Sequence, residues 1–161
     1  TYIDSITLQI LEEKLLEIQP KLVCFSVPFP GNLYSAFKCA QFIKNEYPSI
    51  KIGMGGGFPN TELRSLSDAR VFDFFDFITL DDGELPIEIL HSNIFEVNSD
   101  LIHFKRTFLR ENGKVVYNNS STKKDYKQAE IGTPDYSDLL LDNYIFGLST
   151  QILLQKLKRI L

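Results

Sequence analysis

The chain has 161 residues, of which 43% are hydrophobic and 24% charged, with a formal net charge of −4. That length allows one globular domain with at most a small appendage. The acidic balance, with no Lys/Arg stripe before the last few residues, excludes nucleic-acid binding by bulk electrostatics, and no apolar run reaches membrane-spanning length.

A helix is expected first: Asp4-Ser5 offers an N-cap, and Leu8, Leu11, Leu15 and Ile18 recur at helical spacing until Pro20. Lys21 to Val27 is short, apolar and partly β-branched, the pattern of a strand covered on both faces. After the Pro28-Phe29-Pro30-Gly31 break, Leu33, Ala36/Phe37, Ala40, Ile43 and Tyr47 form one stripe of a second helix that Pro48 closes. A second strand, Ile50 to Met54, runs into Gly55-Gly56-Gly57, and a short helix is expected over about Thr61 to Ser67. Phe75 to Leu80 reads as a third strand, and Asp81-Asp82-Gly83-Glu84 turns into a helix over about Leu85 to His91. Strands alternating with helices predict an α/β fold with a parallel sheet and right-handed crossovers.

The pattern then changes. Thr107 to Arg110 and Lys114 to Tyr117 flank Glu111-Asn112-Gly113, a strong hairpin signal. Asn118 to Gly132 is polar and reads as a loop, Pro134 to Ser137 as a helix or turn start, and Gln151 to Leu161 as an amphipathic helix. Cys24 and Cys39 follow no metal-ligand spacing and are expected as reduced core thiols. Without a signal-peptide pattern the chain is expected in the cytoplasm. A first residue of Thr rather than Met is expected of a fragment or a processed chain.

Three strand ends converge on one edge of the expected sheet. They are Ser26-Val27-Pro28, then Gly55-Gly56-Gly57 with Phe58 behind them, then Asp82-Gly83-Glu84. In an open α/β sheet that edge is where ligands sit, and three glycines in a row exceed what turn geometry requires. Phe58-Pro59 stands where a P-loop needs Lys-Ser/Thr, and Phe58 also occupies the last glycine of a dinucleotide fingerprint. Asp81, Asp82 and Glu84 fit a helix N-terminus better than a magnesium site. His91 and His103 have no partnered ligand spacing, and Ser26 has no Asp or His near it in sequence for a triad. No catalytic or metal-ligating residue is therefore named.

The succession Cys24-Phe25-Ser26, then Met54 to Leu63, then Phe75 to Glu84 resembles the cobalamin (B12)-binding domain of radical S-adenosylmethionine proteins. The similarity covers roughly Leu8 to His91, and Pro134 to Leu139 is similar to the connector leading to the catalytic barrel. The resemblance implies a flavodoxin/Rossmann-like three-layer parallel sheet over residues 1–95, followed by a hairpin and helical connector over 96–161. It implies a corrinoid whose nucleotide tail enters at the sheet edge, bordered by Ser26, Val27, Pro28, Gly55, Gly56, Gly57, Phe58, Asp82, Gly83 and Glu84. In that family two further strands come first, with a DxHxxG loop that can supply a cobalt ligand. Thr1 to Gln19 supplies neither, so either the chain starts part-way into the family domain or part of the pocket is missing. The family's three closely spaced cysteines for a [4Fe–4S] cluster do not occur after Cys39. The cluster and S-adenosylmethionine are thus expected only in a full-length parent, and this chain alone is not expected to be an enzyme.

A second reading is a degenerate flavodoxin-like domain that binds no cofactor and pairs with another copy through the sheet edge left open by the missing strands. A third is a phosphate- or nucleotide-responsive α/β domain using the glycine loop and the helix start at Asn60.

Overall fold

The computed structural model describes residues 1–95, 103–133, 135 and 137. Two compact units divide it, Thr1–Lys127 and Gln128–Leu161. The second is described mainly by a short 3₁₀ turn at Gln128–Glu130, and the sequence-predicted helix at 151–161 lies outside the described residues.

In the first unit, α1 (Tyr2–Ile18) begins one turn earlier than expected, because Thr1 forms a reciprocal capping box with Asp4. It ends with Gln19 in the left-handed region at φ 51°. Strand β1 (Leu22–Ser26) leads to α2 (Pro30–Glu46), whose first residue is the proline that suits a first helical turn. Then come β2 (Lys51–Gly55), the single-turn α3 (Gly57–Glu62), a 3₁₀ turn at Ala69–Asp73, β3 (Phe77–Thr79) and α4 (Glu84–Phe95). The hairpin is β4 (Thr107–Glu111) and β5 (Lys114–Asn118). Its turn residues Asn112 and Gly113 both take positive φ, 50° and 77°, as the type I′ connection requires.

The five described strands form one sheet in the order β1-β2-β3-β4-β5. The first three are parallel, and the hairpin adds two antiparallel strands beside β3. The three strands read from the sequence as a parallel sheet are parallel, and the hairpin, read as a separate extension, joins them and makes the sheet mixed. The chain returns from α4 against its own preceding strand, a long-range choice that local pattern does not encode.

Alternate side chains leave the sheet on opposite faces. Val23, Phe25, Ile52, Met54, Ile78 and Phe108 face a core with Leu15 of α1, Ala36, Ala40 and Ile43 of α2, and Phe72 and Phe75. Phe37 meets the Phe75 ring edge-on at a centroid separation of 5.1 Å. On the other face Leu22, Phe77 and Leu109 pack with Leu85, Ile89 and Leu90 of α4 and with Phe104. Helices thus cover both faces, and among the described residues one helix, α4, packs on the second.

The expectation that Lys21 to Val27 is covered on both faces fails for this reason. Cys24 and Ser26 belong to the second face at the β1 edge and are exposed, while Val27 is 1% exposed. Cys39 is the buried thiol; Cys24 is not in the core.

Candidate functional site

The strip of the second face that no described helix covers forms a groove of about 420 Å³, lined by residues that include Cys24, Ser26, Gly53, Gly55, Thr79 and Asp81. That volume falls within the roughly 300–1,000 Å³ typical of small-molecule sites. Strand registry explains its shape. Cys24 pairs with Gly53 and Ser26 with Gly55, so β2 presents two glycines on one face, two residues apart. Where a neighbouring strand would raise side chains, the floor is bare backbone. A Cβ on Gly53 would lie 3.3 Å from Cys24 Sγ, and one on Gly55 would lie 3.0 Å from Thr79 Oγ1. Ile87 and Leu90 of α4 form the apolar wall, with Leu90 1% exposed.

The neighbouring glycines have a different cause. Val27 N–H donates to Gly55 O at 2.8 Å and Phe58 N–H to Val27 O at 2.9 Å, zipping the ends of β1 and β2 together. Gly56, at φ 100°, would place a Cβ 2.9 Å from Val27 N and O, and Gly57 would place one 2.7 Å from Pro28 O. The chain's own backbone needs the missing side chains at these two positions. Helix α3 then starts at Gly57, earlier than the expected Thr61, because this bonding fixes the chain entering it.

Ser26, Gly55, Gly56 and Gly83 of the sequence-predicted set meet in the groove. Val27 and Pro28 act through the backbone contacts just described. Phe58 turns to the opposite face, where it borders a separate apolar hollow of about 530 Å³ with Leu33, Phe37 and Met54. The Asp82 carbonyl accepts from Arg106 Nη2 at 3.0 Å, and Glu84 is an exposed first residue of α4, where a carboxylate suits the helix dipole.

Cys24, Gly53, Thr79, Asp81, Ile87 and Leu90 were not read from the sequence as groove residues. The spacing of Gly53 and Gly55, period two within a strand, is the signal that puts them on one face. Asp81 sits in the left-handed region at φ 59°. Its N–H donates to Asn60 Oδ1 at 2.6 Å, and its Oδ1 accepts from Arg64 Nη2. Arg106, itself at φ 45°, holds this corner to the hairpin. Its Nε donates to Leu80 O at 3.3 Å, and its Nη1 lies 2.7 Å from Asp125 Oδ1. Desolvation by the groove walls pushes the Cys24 thiol above its ordinary value, so it rests uncharged although part of its surface reaches solvent.

A larger hollow of about 790 Å³ lies at the opposite strand ends, lined by Lys21, Lys51, Phe77, Phe104 and Glu111 among others. The groove is the stronger candidate because it lies at the C-terminal edge of the parallel strands and has a floor without side chains. No group of three or more His, Cys, Asp or Glu among the described residues is arranged to hold a metal ion, and no described helix is long and apolar enough to cross a membrane. Comparison with protein-family models and with curated proteins finds no match to this chain.

Proposed function

We propose that this chain is a ligand-binding module of the cobalamin-binding type, acting in the cytoplasm and not catalytic by itself, with the groove receiving the corrinoid's nucleotide tail. The observation that carries the reading is the Gly53/Gly55 floor, a cradle that a Cβ at either position would begin to fill. A flat ring system can lie on that floor against Ile87 and Leu90, with the Ser26 and Thr79 hydroxyls at hand for its polar atoms. In this reading the sheet is flavodoxin-like, and the family's first strands would stand beside β1.

The fit extends to the tail and not to the metal. Neither His91 nor His103 lines the groove, so the groove offers cobalt no imidazole. A bound corrinoid would supply methyl transfer or radical chemistry through its cobalt, in partnership with a catalytic module. Two cysteines in the chain cannot supply the three thiolates of a [4Fe–4S] cluster, so the cluster and S-adenosylmethionine belong to that separate module.

Desalting after incubation with hydroxocobalamin tests the reading. Corrinoid absorbance should co-elute with the wild-type chain and be lost from Cys24→Phe, which fills the groove from an exposed strand position. No retention by the wild type at high micromolar corrinoid would sink the proposal.

A second reading, association of two copies without a cofactor, is favoured by one flank of the molecule. Among the described strands β1 is an edge of the sheet, and α1 exposes Tyr2, Ile3 and Ile10 at 81%, 74% and 55%. An unpaired strand edge is a template for another strand. Light scattering on concentrated protein should then give the mass of two chains, and the mass of one chain would rule this reading out.

A further inference from the structure

The groove's polar lining limits what kind of ligand end it accepts. Among the described residues lining it there is no Lys, Arg or His; its one carboxylic acid is Asp81. A phosphate pushed into it would meet the Asp81 carboxylate, while the cations behind it, Arg64 and Arg106, are not lining residues and are already engaged by Asp81 and by Asp125. The α4 N-terminus near Gly83 does not change this, since Glu84 opens the helix and its carboxylate already answers the helix dipole.

Asp81, in contrast, is held in place from several sides. A non-glycine residue at positive φ costs of order 1 kcal/mol or more, and here Asn60 anchors the amide while Arg64 engages Oδ1. Its Oδ2 has Arg106 Nε at 3.9 Å, beyond hydrogen-bond reach, and keeps lone pairs for a donor on a ligand. We infer that Asp81 recognises hydroxyl donors of a ribose-type sugar in the groove, and that the groove takes a flat base and its sugar while any phosphate stays outside. The inference rests on the groove being the ligand site and adds which end of the ligand enters and which residue selects it.

The test compares dimethylbenzimidazole with its riboside by calorimetric titration of the whole chain, with hydroxocobalamin retention measured in parallel. The wild type should prefer the riboside by roughly tenfold or more, the effect of a hydrogen bond to a charged group. Asp81→Gly keeps the positive φ at no steric cost, so it should fold, bind the bare base as the wild type does and lose the preference. Asp81→Asn, which retains an acceptor oxygen, should recover part of it. An unchanged preference in a folded Asp81→Gly would overturn the assignment while leaving the groove as the site. Failure of the wild type to retain hydroxocobalamin or bind either probe would remove the groove reading itself, and the assignment with it.

Discussion

Gly56 and Val27 stand in backbone contact. A Cβ built on Gly56 would lie 2.9 Å from both the nitrogen and the oxygen of Val27, whose N–H is already bonded to Gly55 O at 2.8 Å. The two strand ends approach this closely because one of them has no side chain. Gly56→Ala should therefore destabilise the chain by roughly 2–4 kcal/mol, combining positive-φ strain with overpacking against backbone. Urea denaturation checks this; a loss below about 0.5 kcal/mol would show that the ends can part. Gly56 is thus a poor probe of ligand binding, since its substitution disturbs the frame of the groove.

Arg106 ties the β3 corner to the hairpin, with its side chain only 12% exposed. It donates to the Leu80 and Asp82 carbonyls and pairs with Asp125. Truncation strands the part-buried Leu80 carbonyl, while the Asp82 carbonyl and Asp125 stay open to solvent, so Arg106→Ala should cost roughly 1–2 kcal/mol. Arg106→Lys should recover little of it, because an ammonium cannot span the same fork. Equal stability of all three proteins in urea would contradict the account.

Asp68 gives a pH signature. The Arg70 side chain donates to its carboxylate, the Arg70 backbone N–H adds a second bond, and together they lower its pKa to about 2. The folded chain thus binds this proton more weakly than the unfolded chain, whose Asp titrates near its ordinary value of about 3.9. The stabilisation is complete above the unfolded pKa and is lost as pH falls through about 2. An NMR titration of the Asp68 carboxyl should give a depressed midpoint in the wild type and a higher one in Arg70→Ala. An ordinary midpoint in the wild type would refute the contact.

Much of this architecture is local enough to be legible. The Leu8/Leu11/Leu15 spacing marks α1, the Leu33 to Tyr47 stripe marks α2 although its start at Pro30 reads as part of a break, and Asn112-Gly113 fixes the hairpin through its two positive-φ positions. Gly55 and Gly56 were legible as special, but the reason differs between them. Gly55 belongs to the groove floor, whereas Gly56 answers Val27, a residue about thirty positions earlier, and no local pattern separates the two cases. The open face at Cys24 was not legible either. An apolar run such as Leu22–Ser26 is the same string whether one helix or two will cover it, and that depends on α4 packing over β3 and β4. Asp81 reads locally as a helix cap; its role as a clamped groove residue depends on Asn60 and Arg64, which only the fold brings near.

Comparing hydroxocobalamin with cobinamide, the corrinoid without the nucleotide tail, reads out whether the groove between β1 and α4 receives that tail. Both are incubated with the chain under the same conditions and desalted. Hydroxocobalamin should co-elute with the protein and cobinamide should not. Equal retention of the two, or retention of neither, would contradict entry of the tail into the groove.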